Sequence, residues 1–213
     1  MKIYKIIINI TIPIFLLMLF ASILTTKQYL LISKNKYSSH ENVDFDHDFA
    51  ADRIMGYLNY RYNDLLFGEN ADDDSILMRD TELSHMKDVK NLYTGLRLIA
   101  LGSLIIGVSL SVYVYRKDKE QFYKTYKRMY IGPILFSIFL GTFIAIDFDS
   151  IFTIFHKTFF TNDDWQLYST DALIILLPFN FWLVSASIIL GLFVSSLGVM
   201  HLINEKLNKK VSI

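Results

Sequence analysis

The chain has 213 residues, 53% of them hydrophobic, with a mean hydropathy of +0.34 and a formal net charge of zero. Its apolar residues come in long blocks rather than at period two or 3.6, which excludes the ordinary pattern of a soluble globular domain. There is no cysteine, which excludes disulfides, thiol nucleophiles and Cys-ligated zinc or iron–sulfur sites, and the 21 basic and 21 acidic residues are segregated along the chain.

A membrane-crossing helix needs roughly 20 mostly apolar residues. The first such run, about 6–26, follows Lys2 and Lys5 and carries no charge before its end. A basic start and an apolar core also describe a signal peptide, but the run is too long and no small-x-small cleavage site follows. It reads as an uncleaved span, with Pro13 as a tolerated kink.

Residues 27–91 are too polar to cross a membrane and too few to be a secure independent domain. The stretch from Phe49 to Phe67 carries apolar residues at Ile54, Tyr57, Leu58, Leu65 and Leu66, and reads as one or two amphipathic helices. Asp72-Asp73-Asp74 reads as a solvated turn, since the ligand spacing of a calcium loop is missing. A further helix starts at Asp80 or Thr81, either of which can cap it. His85 then falls near the first turn, with Glu82 three residues back and Asp88 three residues on. A carboxylate at that spacing can hold an imidazole tautomer and raise its basicity. The dipole at a helix N-terminus works the other way.

The second span covers about 92–115, with Arg97 in its first two turns, able to snorkel or to bind a phosphate or carboxylate. Residues 116–128 form a basic loop, and the third span runs over 129–146. Asp149 to Phe160 reads as a short amphipathic helix with Ile151, Phe152, Phe155 and Phe159 on one face and His156 beside Phe152 and Phe159. Trp165 suits an interfacial anchor. Asp171 opens an apolar run from Ala172 to Ile203 that is too long for one untilted span. Pro178 and Trp182 mark a break, so 172–180 reads as an approach and 181–203 as the fourth span.

Arg116, Lys117, Lys119, Lys124, Lys127 and Arg128 stand against only Asp118 and Glu120 in the loop between spans two and three, and Lys206, Lys209 and Lys210 mark the tail. By the positive-inside rule, loop 116–128 and both termini are cytoplasmic, and the acidic segments 27–91 and 147–180 are extracellular. The expected fold is an all-α integral membrane protein with four transmembrane helices and an extracellular helical cap. The basic loop is explained by topology and does not imply nucleic acid.

This orientation puts His85 and His156 on one face, where a pair of imidazoles can move protons at neutral pH. His40 and His47 sit in the polar loop, and His201 lies at the cytoplasmic end. The bland alternative is that both interfacial histidines are solvated and the Phe152/Phe155/Phe159 stripe is membrane packing. There is no G-x-S-x-G elbow, H-E-x-x-H pair or phosphate-binding Gly loop. A two-histidine metal site with Asp88 or Asp171 has no specific spacing behind it. A metal-dependent lipid hydrolase and a non-enzymatic membrane sensor or assembly partner stand as competing readings.

Glu82-Leu83-Ser84-His85-Met86-Lys87-Asp88-Val89 resembles one signature of the lipoprotein intramolecular transacylase (Lit) family of Gram-positive bacteria. Phe155-His156, Phe159-Phe160, Trp165, Asp171 and Leu176-Leu177-Pro178 resemble a second. The resemblance implies an enzyme of the bacterial plasma membrane that moves the sn-2 acyl chain of a lipoprotein's diacylglyceryl group to the α-amine of its N-terminal cysteine, giving the lyso-form, without a cofactor or metal. Its substrate and partners are then diacylated lipoproteins and the bilayer. On that reading His85 is the base and His156 stabilises the oxyanion or protonates the leaving group, and the two roles are interchangeable. Asp88, Asp171 and Arg97 are supporting or orienting residues, and Trp165, Phe152, Phe155, Phe159 and Met86 are substrate-binding.

Overall fold

A computed structural model describes residues 2–37, 47–65 and 78–211. Nine helices and no strand occur among the described residues: α1 (Lys2–Ile23), α2 (Lys27–Tyr37), α3 (His47–Leu58), α4 (Asp80–Lys117), α5 (Lys119–Met129), α6 (Ile131–Ile146), α7 (Phe148–Phe159), α8 (Ala172–Leu176) and α9 (Phe179–Val211). His40, Leu66, Phe67 and the Asp72–Asp74 turn lie outside the described residues. The helices form two compact units, Met1–Ala21 with Leu96–Ile146 and Ser187–Ile213, and Ser22–Gly95 with Asp147–Ala186.

The first unit buries Ile8, Ile12, Val114, Met129, Phe193 and Leu197. Outside that core it exposes Leu98, Leu135, Ile138 and Phe139, each about 60% or more accessible. Such a surface is unfavourable in water and ordinary in lipid, where backbone groups are satisfied within each helix. Four helical stretches among the described residues are long and apolar enough to cross a membrane: Ile3–Ile23, Asp80–Lys117, Lys119–Ile146 and Phe179–Lys209. Segment 116–128, expected as a loop, is almost wholly the helix α5. Asp118 interrupts α4 and accepts the backbone N–H of Gln121 at 2.8 Å, which caps α5. Phe122 and Tyr126, four residues apart, then pack on the unit's core, so the helix is amphipathic.

The second unit joins the two polar segments around one core built from Leu30 of α2, Ala51 and Ile54 of α3, Met86 of α4, and Leu173 and Leu176 of α8. Ile54, Tyr57, Leu58 and Leu65 are buried, as their spacing predicts. Tyr60 takes a left-handed conformation (φ 61°) just past α3, where the N–H of Arg61 bonds Gly56 O at 2.8 Å and the N–H of Tyr60 bonds Tyr57 O at 3.2 Å. This is a Schellman ending with tyrosine where glycine is usual. The Lys90 ammonium of α4 lies 3.9 Å over the Tyr57 ring and 4.5 Å over the Tyr60 ring, which holds the end of α3 to α4.

At 1.5 Å per residue α4 is roughly 57 Å long, nearly twice the thickness of a hydrocarbon core. Its polar first turns, 80–91, therefore precede the apolar portion that crosses the membrane. At the other end of the chain, Leu177 and Pro178 separate α8 from α9, and the Trp182 indole N–H donates to Leu177 O at 3.0 Å. The break expected near Pro178 is present.

Candidate functional site

The start of α4 is organised by Glu82, which is 1% exposed. Its Oε2 accepts the N–H of Arg79 at 2.8 Å, reaching back as the acidic half of a capping box, and its Oε1 accepts the N–H of Leu173 at 2.9 Å. One buried carboxylate thus caps the N-termini of α4 and α8, where orphan N–H groups and the helix dipole both favour an anion. The cap expected from Asp80 or Thr81 comes from Glu82 instead. Arg79, just before α4, grips Asp171, just before α8: its Nε donates to Oδ1 at 2.7 Å and its Nη2 to Oδ2. Asp171 Oδ2 also accepts the N–H of Tyr168 at 2.7 Å. The Arg79 guanidinium holds the Asp171 carboxyl below the usual carboxylate range. The partner that a buried acid beside an apolar run requires is therefore Arg79.

His85 lies one turn beyond Glu82 and is buried. His156 is buried in α7, which Asp147 caps by accepting the N–H of Ser150 at 3.0 Å. The imidazole rings lie 5.7 Å apart, centroid to centroid, tilted 36°. Around His156 stand Phe152 at 4.0 Å, Trp165 at 5.0 Å, Phe155 at 5.4 Å and Phe160 at 5.5 Å. Phe160 also meets His85 edge-on at 5.0 Å.

The two imidazoles are held differently. His156 Nδ1 lies 2.7 Å from Phe152 O. A carbonyl only accepts, so Nδ1 carries the hydrogen and Nε2 keeps its lone pair. Burial pushes His156 below the ordinary imidazole range, opposed by the Phe152 carbonyl. His85 Nδ1 has no hydrogen-bond partner among the described residues. Burial, and then the neighbouring His156, lower His85 to about 4, against the upward pull of Asp88 and Asp164. Both rings are thus neutral at pH 7.

The other expected site residues are distributed unevenly. Phe152 and Trp165 flank His156. Phe155 and Phe159 pack on each other at 4.9 Å and are 43% and 49% exposed, which suits contact with lipid tails. Met86 is buried in the core of the second unit. Asp88 accepts from Asn162 at 2.7 Å and Asp171 from Arg79, so neither carboxylate hydrogen-bonds an imidazole. Arg97 is twelve residues beyond His85, about 18 Å further along α4. Among the described residues no three of His, Asp or Glu converge as a metal site. Arg79 and the capping role of Glu82 were not singled out by sequence reasoning, and Phe160 entered it only as part of the second family signature. A glutamate three residues after a helix start is a capping signal, but Arg79 in the cap position hides it because it is not Ser, Thr, Asp or Asn.

A family model described as lipoprotein intramolecular transacylase Lit matches residues 3–182. The chain belongs to the Lit family. It is therefore an acyltransferase integral to a membrane that moves an acyl group within a lipoprotein. The fold agrees with that of Lit from Bacillus cereus, solved in meso: TM-score 0.77 at 21% identity, covering 99% of this chain and 97% of that one. Two further structures of the same B. cereus Lit, in which a histidine is replaced by arginine or by alanine, match with TM-scores of 0.72 at 21% identity. They cover 99% of this chain and 93% and 94% of those chains. No curated protein matches the sequence.

Proposed function

We propose that this Lit enzyme transfers the sn-2 acyl chain of a diacylglyceryl-cysteine to that cysteine's α-amine by imidazole acid–base catalysis at the outer leaflet, with His156 as the base and His85 as the donor to the oxyanion. The observation that carries this reading is the buried His85–His156 pair, 5.7 Å between rings, with one lone pair defined by the Phe152 carbonyl. It exchanges the roles expected from sequence. His156 has a hydrogen-bond acceptor ready to support imidazolium, whereas His85 is held to about 4 and is a poor proton acceptor.

The α-amine is mostly protonated at neutral pH, with an ordinary pKa near 8. In its free form the nitrogen attacks the ester carbonyl carbon as His156 Nε2 takes its proton. The carbonyl oxygen becomes an oxyanion, to which the neutral His85 ring donates an N–H, as a preorganised dipole in a dry site. The bond from the carbonyl carbon to the sn-2 oxygen then breaks, and the imidazolium of His156 returns the proton to that oxygen. An ester becomes an amide and a free hydroxyl, with no net proton change and no acyl-enzyme. Nucleophile and ester belong to one molecule, so holding them together supplies much of the rate. Phe152 and Trp165 line the reacting centre, and the exposed Phe155 and Phe159 meet acyl chains or lipid.

The topology expected from charge supports the outer face: α5 and the tail carry the basic residues, and 147–171 is acidic. The testing experiment uses a lipoprotein with chemically distinct chains at sn-1 and sn-2, mixed with a second lipoprotein carrying isotopically labelled chains. Mass spectrometry should find only the sn-2 chain on nitrogen, no label crossing between molecules and no free fatty acid. An sn-1 chain on nitrogen, or crossed label, contradicts the reading.

A further inference from the structure

Two hydrogen bonds that do not touch either imidazole join α4 to the turn after α7. Ser84 Oγ donates to Asp164 Oδ2 at 2.5 Å, and Asn162 Nδ2 donates to Asp88 Oδ2 at 2.7 Å. Ser84 and Asp88 are four residues apart and so share a strip of the helix. Asn162 and Asp164 are tied to each other, because the Asp164 N–H donates to Asn162 Oδ1 at 3.2 Å, in the manner of an Asx turn. The turn therefore presents both side chains together.

Each end of this pairing adjoins a histidine. His85 follows Ser84 in the chain. Trp165 follows Asp164 and lies over the His156 ring at 5.0 Å. Phe160, two residues before Asn162, donates its N–H to His156 O at 2.8 Å and meets the His85 ring at 5.0 Å. Residues 156–165 thus wrap His156, and the two bonds fasten that wrap to the strip of α4 that carries His85. The need for fastening is plain: no hydrogen bond from the protein's described residues orients His85 through Nδ1.

We propose that Ser84, Asp88, Asn162 and Asp164 form a two-point clamp that sets the gap between the two imidazoles for acyl transfer. The proposal rests on the histidine reading above. The four are positioning residues: they hold α4 and the turn in register and make no bond to a reacting atom. Asp88 and Asp164 also pull His85 toward its charged form, so the clamp carries a modest field as well as geometry. Misplacement of reacting groups by about 1 Å can cost on the order of 100-fold in rate, so loosening such a clamp is felt in turnover.

The test uses the full chain in phospholipid nanodiscs with a diacylated lipoprotein, comparing Ser84→Ala, Asp164→Ala, the double variant, Ser84→Thr and Asp164→Asn. The clamp predicts that each alanine variant loses roughly tenfold of the saturated rate with KM within about twofold, and that the double variant loses no more than the worse single. Ser84→Thr keeps the hydroxyl, and Asp164→Asn keeps an oxygen that accepts from Ser84, so both should regain most of the rate. Losses that multiply in the double variant, an Asp164→Asn rate as low as that of Asp164→Ala, or a Ser84→Ala rate equal to wild type overturns it. If an alanine variant does not fold, the Asn and Thr variants decide, and either falling tenfold counts against the clamp. His85→Ala and His156→Ala run alongside: activity in these sinks the histidine reading, whereas their inactivity beside fully active clamp variants sinks the clamp alone.

Discussion

The backbone carbonyl of Phe152 accepts a hydrogen from His156 Nδ1 at 2.7 Å, within a single turn of α7. This bond makes the two imidazoles chemically unequal. It fixes the His156 tautomer with Nε2 free, and it steadies the cation that forms when Nε2 takes a proton. Among the described residues His85 has no such acceptor at Nδ1, and it is lowered to about 4.

A pH dependence follows, with a definite sign. Both histidines are shifted downward: His85, lowered to about 4, stays neutral as pH falls through the ordinary imidazole value of about 6.5, and His156 takes up its proton only below that value. The group that titrates near neutrality is the substrate amine, whose free fraction rises tenfold per pH unit below about 8. The transfer rate measured in nanodiscs should climb with unit slope from about pH 6.5 to 7.5 and level off above about 8. A break to steeper slope near pH 6.5 would mean that a histidine titrates there and that the burial argument is wrong.

Glu82 closes two helix starts at once. Glu82→Ala leaves the buried N–H of Leu173 and the partly buried N–H of Arg79 without the carboxylate, at a cost of about 1–3 kcal/mol for a fully buried donor and less for the other. Glu82→Gln keeps one accepting oxygen but turns an NH2 toward the other donor. Thermal unfolding in detergent should rank wild type above Glu82→Gln and Glu82→Ala lowest, with the alanine variant down by about 3 kcal/mol. Indistinguishable curves for the three proteins would show that the shared cap is dispensable.

Much of the architecture was legible because its signals are local. Blocks of apolar residues gave the four spans, and Pro178 with Trp182 the break before α9. His85 and His156 stood out because each is an ionisable group at the edge of an apolar run. What could not be read was long-range. Arg79 and Asp171 are 92 residues apart, and Glu82 and Leu173 are 91 apart, and no spacing rule links such positions. Asp88 looked like an imidazole partner from its helical spacing to His85, and Asp171 from its place in the second family signature, yet Asn162 and Arg79 engage them. Segment 116–128 was legible in principle. Asp118 is a capping residue, and Phe122 and Tyr126 have helical spacing, but a basic stretch between two spans reads first as a loop.

The membrane orientation can be checked directly, because the chain has no cysteine. Single substitutions Asp163→Cys in the turn after α7 and Lys124→Cys in α5 lie at exposed positions. In intact cells a membrane-impermeant maleimide should label Asp163→Cys, and should label Lys124→Cys only after permeabilisation. The reverse pattern would put the histidines on the cytoplasmic side and remove them from an outer-leaflet substrate.

The central claim is that His85 and His156 together carry the acyl transfer. Its most direct test is the single-turnover rate of lyso-lipoprotein formation by purified His85→Ala and His156→Ala variants that retain the wild-type unfolding temperature. General acid–base groups contribute about 100- to 10,000-fold, so each variant should fall by at least about 100-fold, and the double variant should be little worse than His156→Ala. Transfer at the wild-type rate by either single variant would contradict the account.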